Sequence, residues 1–127
     1  MAEFLSADHM AAATEALNAD PGFRNSMTNT QLGLQFVVTD GPSGDVRYYL
    51  DVADGRASME LGELDGADAS VTSDYESAEA MARGALNVQM AFMTGKIKVG
   101  GNMATIMMNQ GLINELVRVQ GGIDIEF

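Results

Sequence analysis

The stretch LGLQFVVTDGPSGDVRYYLDV, residues 32–52, decides the fold because it introduces a hydrophobic period of two. Apolar residues occupy every second position from Leu32 to Val38, and the same alternation returns from Val46 to Val52. This spacing is typical of strands that bury one face. The segment between them is rich in glycine, proline and aspartate, the residues that favour turns. The stretch therefore predicts a β-hairpin.

Further strands are predicted on the C-terminal side of this hairpin. Asp54-Gly55 and Asp65-Gly66 are turn sequences, and each precedes another short alternating segment. We expect these four strands to form a meander with one face in water. A fifth strand is predicted at 96–99, with Ile97 and Val99 inward and both lysines outward.

Helical patterns surround the strands. An alanine-rich helix is predicted at 7–18 with Ser6 as its cap, and a short helix from Pro21 to about Met27. Further helices are expected after Ser73-Asp74, ending at Arg83-Gly84, and from Val88 to Met93, where Asn87 would be the cap and Gly95 the stop.

The last helical region, from Met103 to about Gln120, carries its apolar residues on two different sides. Thr105 and Asn109 lie on the side that Leu112 and Leu116 occupy one or two turns later. The sequence therefore predicts a break at Gln110-Gly111.

Composition limits the classes of function. The chain has 127 residues, which fits one domain (1–127), and it contains no cysteine. Eighteen acidic against seven basic residues give a net charge of −11, the wrong sign for a nucleic-acid partner. The N-terminal segment lacks the pattern of a secretory signal, so we expect a cytoplasmic protein. The longest uncharged run, 99–114, is too short and too polar for stable membrane insertion.

Few residues suggest catalysis, a metal or a cofactor. The single histidine, His9, lies in the alanine-rich helix, where we expect a surface or half-buried position. The acidic residues at 60, 63, 65 and 68 match no metal-ligand spacing and are interpreted as a solvated edge. We therefore predict a non-enzymatic protein without cofactor or metal. Lys96 and Lys98 are the closely spaced cations, and an anionic headgroup near them is a secondary hypothesis.

Methionine is the most informative residue type. Six of the ten methionines fall between positions 81 and 108, among leucine, isoleucine, valine and phenylalanine. Methionine is the usual filler of irregular cores, and it also forms adaptable walls around ligands of variable shape. Composition favours the first interpretation. The segment 86–93, however, carries apolar residues on two helical sides, which is more than one sheet contact needs.

The segment GALNVQMAFMTGKIKVGGNM, residues 84–103, resembles the signature of the sterol carrier protein 2 (SCP2) domain family. It joins a Gly-x-Leu-Asn helix start, an Ala-Phe pair, Gly-Lys-x-Lys and Gly-Asn-Met in the order of that family. The segment DGADASVT, residues 65–72, is similar to the strand that precedes it. Thr94 stands where the family often has a glutamine.

The resemblance implies an α/β fold: a five-stranded, mostly antiparallel sheet covered on one face by about five helices, with an internal hydrophobic tunnel. The implied ligands are fatty acids, fatty acyl-CoA, sterols or phospholipids. Phe92, Met93 and Met103 occupy motif positions associated with the tunnel wall. The other lining residues are inferred from the apolar faces: Phe36, Met81, Leu86, Met90, Thr94, Val99, Ile106 and Met107.

Two functions are therefore expected. The first is binding, and transfer, of a lipid or other long apolar ligand by a monomer or homodimer. The alternative is an interaction or dimerisation module that uses the apolar C-terminal helix, with the methionines serving only as core.

Overall fold

In the computed structural model, which describes residues 2–42, 44–83, 85–86, 88–123 and 125–126, the predicted hairpin forms the centre of a five-stranded sheet. In chain order the elements are β1 (Ala2–Glu3), α1 (Ala7–Ala19), α2 (Pro21–Met27), β2 (Leu32–Gly41), β3 (Gly44–Ala53), β4 (Arg56–Leu61), β5 (Ala69–Asp74), α3 (Tyr75–Ala82), α4 (Val88–Met93), β6 (Ile97–Gly101), α5 (Met103–Met108), α6 (Gln110–Gly121) and β7 (Ile125–Glu126). β1 and β7 pair separately, in parallel.

The strand order corrects the predicted meander. The order is β4-β3-β2-β5-β6, so β5 pairs with β2, in parallel, and not with β4. The other neighbouring strands are antiparallel. The five-stranded, mostly antiparallel α/β architecture is confirmed, while the fourth strand of the meander was placed wrongly.

The crossover from β4 to β5 explains this order. The Gln35 side chain donates from Nε2 to the Gly62 carbonyl at 3.0 Å and accepts from the Leu64 N–H at 2.7 Å. Asp68 accepts from the Gly33 N–H at 2.8 Å. A Cβ at position 33 would lie 2.9 Å from a Leu64 methyl carbon, so glycine makes room for the crossing segment. The face predicted to be wet therefore holds the crossover.

The core lies between the other face of the sheet and three helices. Its buried residues include Leu17 of α1, Phe23 and Met27 of α2, and Leu112 and Leu116 of α6. These pack with the buried side chains of β2, β3 and β4. No described helix combines the length and the apolar character that a bilayer crossing requires.

Helix α1 also occupies the outer edge of β4. Asn18 donates to the Ala57 carbonyl at 2.8 Å and accepts from the Ala57 N–H at 2.9 Å. Thr14 makes the equivalent pair of bonds with Met59, at 3.1 and 2.9 Å. Two side chains one helical turn apart thus saturate the backbone groups that an edge strand would leave open to another chain.

Four helices start at a side-chain cap, and the cap of α1 is the predicted Ser6. Ser6, Asp20, Asp74 and Asn102 each accept a bond from the backbone N–H three residues on. Gly95 ends the segment after α4 with a φ of 77°, as its position predicted. The predicted stop at Gly84 and cap at Asn87 lie outside the described residues.

The predicted break in the last helical region is confirmed, at Asn109, one residue before the expected pair. Asn109 has φ −110° and ψ 25°, between the end of α5 and the start of α6. Its side chain donates to the Thr105 carbonyl at 2.8 Å. The break lets α6 bury Leu112 and Leu116, whereas no residue of α5 is fully buried.

His9 corrects another expectation, because it is buried, with 4% of its surface exposed. The chain before α1 folds back over it: the Leu5 N–H donates to His9 Nδ1 at 2.9 Å, and the Phe4 ring centroid lies 5.7 Å away. Burial lowers the pKa of His9, and the nearby Gln120 side chain offsets part of this effect.

Candidate functional site

The inner face of the sheet is built of rows that run across the strands. Cross-strand partners point to the same face, so the register gives each row directly. The middle row consists of Leu61, Tyr48, Phe36, Val71 and Val99, one residue from each strand. It spans four interstrand spacings, about 19 Å.

The middle row is less buried than the rows on either side. The row on the α1 side is Met59, Leu50, Leu34 and Ala69, and all four are buried. On the other side Val38, Ser73 and Ile97 are buried, and Val46 of the same row is half-buried. Phe36, Tyr48, Val71 and Val99 are only half-buried, and Leu61 is 44% exposed. The covering helices therefore leave a trough along the middle row.

Two stacked aromatic rings form the floor of this trough. The Phe36 and Tyr48 ring centroids are 4.8 Å apart and the rings are nearly parallel, at 8°. Burial raises the pKa of Tyr48 to about 12, so its hydroxyl stays protonated at any physiological pH. The floor is flat, apolar and uncharged.

The short helices α4 and α5 expose large apolar side chains. Met93, Met107 and Met108 are 79%, 72% and 85% exposed. Met90, Phe92 and Met103 are also exposed. Among the side chains that the structure describes, Ala91 of α4 is buried, and Ile106 of α5 packs against the core. So many exposed apolar side chains on adjacent segments mark an interaction surface.

The structure brings some of the predicted site residues together and leaves others apart. Phe36 and Val99 belong to the middle row, and Ile106 packs against the same core as Phe36. Met81 and Leu86 are half-buried. The exposed members are Met90, Phe92, Met93, Thr94, Met103 and Met107, and the part of the chain that the structure describes forms no closed tunnel between them and the sheet. The Thr94 hydroxyl donates to the Met90 carbonyl at 2.7 Å.

Three residues of the middle row were missed by the sequence prediction: Tyr48, Leu61 and Val71. Tyr48 could have been found, because pairing the two alternating segments of the hairpin sets it opposite Phe36. Val71 could not have been found in this way, because its position beside Phe36 depends on the parallel pairing of β5 with β2.

Charged groups are scarce around the trough. Within residues 84–114 the only charged side chains are Lys96 and Lys98. Lys98 is paired with Thr72 on the outer face, as the alternation of β6 predicted, and both lysines are exposed. Among the described residues no group of three or more His, Cys, Asp or Glu side chains is placed to hold a metal ion.

An open cleft of about 660 Å³ lies elsewhere, between α1 and β4. Its walls include Met10, Thr14 and Glu60, and it meets the middle row only at Leu61. The backbone N–H and carbonyl of Met59 in its wall are already bonded to Thr14. The lining also includes the carboxylates of Glu15 and Glu60. The cleft therefore suits an apolar ligand less well than the trough.

Comparisons of sequence and of structure with known proteins find similarity to the same family. Residues 12–114 match the family model described as the SCP-2 sterol transfer family. Sterol carrier protein 2 of Gallus gallus is 35% identical over 78 residues, which is 61% of this chain and 14% of that protein. Sterol carrier protein 2 of Homo sapiens is 30% identical over 122 residues and matched over 22% of its length. The chain thus spans a small part of these relatives.

A solved structure confirms the fold. A crystal structure of sterol carrier protein 2 superposes with a TM-score of 0.81 at 22% identity and covers 96% of this chain and 100% of that one. Since the family model matches most of the chain, this protein belongs to the SCP-2 sterol transfer family.

Proposed function

We propose that this chain is a non-enzymatic carrier that binds a lipid or another long apolar ligand and transfers it through water. The ligand would be a fatty acid, a fatty acyl-CoA or a sterol-like molecule. The observation that carries the proposal is the half-buried middle row, lying between two rows that are mostly buried, on a sheet whose neighbouring helices expose apolar side chains.

The energetic basis is the apolar surface that the protein leaves in water. Fully burying one large apolar side chain is worth roughly 1.5–3 kcal/mol, and several such side chains are exposed on α4 and α5. A ligand lying in the trough covers the floor and gives these side chains an apolar partner. Their methionines can adjust to ligands of different shape.

The proposed roles follow from position. Phe36 and Val99 form the floor, and Met81, Leu86 and Ile106 form the half-buried walls. The exposed residues close over the ligand: Met90, Phe92, Met93, Met103 and Met107, with Thr94 contributing its methyl group at the end of α4. We further propose that the carrier is one domain over 1–127, works in the cytoplasm as a monomer or homodimer, and uses no cofactor and no nucleic acid.

The alternative function, association through the C-terminal helix, loses its main support. Leu112, Leu116 and Val119 make up the apolar stripe of α6, and all three are buried in the core of the same chain. The stripe is therefore already used, mainly against α1 and α2.

The proposal is tested first by native mass spectrometry of the full chain after gentle purification, together with displacement of the neutral dye Nile red by long-chain lipids. We expect a co-purifying or added lipid to appear as a discrete mass shift at one-to-one stoichiometry. A protein that carries no lipid and binds none on addition would overturn the proposed function.

A double variant then tests the residues. Met93→Ser with Met107→Ser removes two exposed thioethers that make few packing contacts, so we expect an affinity for lipids at least about tenfold weaker with little change in stability. Val117→Ser is the matched control, since Val117 is an exposed apolar residue of α6, the helix that packs its buried stripe mainly against α1 and α2. Equal affinity in all three proteins would contradict the assigned roles.

A further inference from the structure

Tyr48 brings a polar atom into an otherwise apolar row. Its cross-strand neighbours in the middle row are Leu61 and Phe36, followed by Val71 and Val99. Four of the five side chains have no polar atom. The Tyr48 hydroxyl is therefore the one hydrogen-bonding group that the middle row can offer to a molecule lying along it.

This hydroxyl has no partner in the part of the chain that the structure describes. Neither a side chain nor a backbone group there hydrogen-bonds it, although the ring stacks on Phe36. Burial is the cause of its raised pKa, about 12, with no bond contributing. Because Tyr48 is half-buried and its hydroxyl bonds no described protein group, replacing the hydroxyl by hydrogen should cost the ligand-free protein little stability. The hydroxyl is therefore available to a molecule that lies along the middle row.

The surroundings of Tyr48 favour an uncharged partner. The three rows of the inner face contain no charged side chain. Arg47, the residue before Tyr48, is exposed on the opposite face and pairs with Glu63, and Lys98 also lies on that face. An ionised group placed beside Tyr48 would lose its hydration without gaining an opposite charge. An uncharged oxygen needs only one hydrogen bond, and a neutral phenol can supply it.

We propose that the Tyr48 hydroxyl is the polar anchor of the ligand site and that it hydrogen-bonds an uncharged lipid oxygen, an ester carbonyl or an alcohol. This inference rests on the proposed function and narrows its ligand class. Tyr48 fixes the position of the oxygen, and the hydrocarbon chain lies along the rest of the middle row.

The experiment compares the full-length protein with Tyr48→Phe, which removes one oxygen atom and keeps the stacked ring. Four probes share one chain length: methyl dodecanoate, dodecanol, dodecanoate and dodecane. Affinities come from displacement of Nile red. We expect the ester and the alcohol to bind Tyr48→Phe about five- to tenfold more weakly than the wild type, and dodecane to bind both equally. In the wild type the ester should bind more tightly than dodecanoate.

Two controls keep the result interpretable. Tyr49→Phe removes a hydroxyl from the other face of the sheet, where it is bonded to Glu60, and should leave all four affinities unchanged. The melting temperature of ligand-free Tyr48→Phe should equal or exceed that of the wild type. A variant that melts lower would show that the hydroxyl serves the fold and would overturn the proposal.

The remaining outcomes separate this inference from the proposed function. Equal affinity of wild type and Tyr48→Phe for the ester and the alcohol would overturn the anchor while leaving lipid binding intact. Tighter binding of dodecanoate than of the ester would overturn the uncharged class. Failure of the wild type to bind any of the four probes would contradict the proposed function itself.

Discussion

The two ends of the molecule use the same residue type in opposite ways. Met10, Met27 and Met59 lie in the packed half, where α1, α2 and α6 cover β2 to β4, and each is nearly inaccessible to solvent. Met93, Met107 and Met108 lie in the open half, on α4 and α5, and each is largely exposed. The number of methionines in a segment therefore does not distinguish core residues from exposed ones. The distinction depends on how many other apolar residues the same helix buries.

The packed half buries continuous apolar stripes, while the open half is attached at isolated points. Leu17, Phe23 and Leu116 are anchors of the packed half, and Ala91 and Ile106 are those of the open half. Because few of the described side chains of α4 and α5 are buried, we expect these helices to move at lower cost than the rest. A carrier needs both properties: a rigid floor and a cover that can open.

The largest expected effect comes from shortening one methionine in each half. Met27→Ala empties a fully buried site, so the free energy of unfolding should fall by about 2–5 kcal/mol. Met108→Ala removes a side chain that is 85% exposed, so the change should stay within about 0.5 kcal/mol. Urea denaturation of the ligand-free variants measures both.

Each variant serves as the control for the other, because the chemical change is the same. Comparable losses at the two positions would mean that the open half is packed as firmly as the core. The proposed difference in packing between the packed half and the open half would then be wrong.

A smaller effect is expected at the edge of the packed half. Asn18→Ala leaves the Ala57 N–H and carbonyl without their side-chain partners, and we expect a loss of about 1–3 kcal/mol in the free energy of unfolding. Asn114→Ala, at an exposed position of α6, is the matched control and should be close to neutral. If both variants lose the same stability, the contribution of the Asn18 pair to the edge of β4 is refuted.

The contrast between the halves also shows what could be predicted from the sequence. Helix starts were predictable because a cap is a local interaction: Ser6, Asp20 and Asp74 each bond an N–H three residues away. The break before α6 was predictable because the apolar side of a helix cannot rotate without one. The position of β5 was not, since it depends on bonds from Gln35 and Asp68 across long sequence distances.

The candidate site divides in the same way. Phe36 and Val99 followed from the alternation within single strands, whereas the trough is a property of a row that joins all five strands. The exposure of α4 could not be predicted from the hydrophobic pattern either. Both sides of this helix are apolar, so the periodicity does not indicate which side packs against the sheet.

His9 yields the last prediction, on a buried group for which the sequence predicted a surface or half-buried position. Its Nδ1 accepts from the Leu5 N–H, and its Nε2 is buried without a partner in the described ranges, so the folded state holds the neutral ring. Burial lowers the pKa of His9 below the ordinary value of 6.5, while the unfolded chain takes up its proton near that value. The free energy of unfolding should therefore fall as the pH drops below 6.5 and level off below the folded pKa.

The carboxylates with shifted pKa values do not interfere, since the pKa values of Asp20 and Asp74 are lowered, by bonds to Arg118 and Ser77 first. Urea denaturation between about pH 7.5 and about pH 5.5 isolates the histidine. Asn at position 9 can accept the Leu5 N–H but cannot titrate, so His9→Asn should lose this pH dependence. If the free energy of unfolding of the wild type does not change across this pH range, the His9 ring is hydrated in the folded protein. The residues before α1 would then not shield it from water.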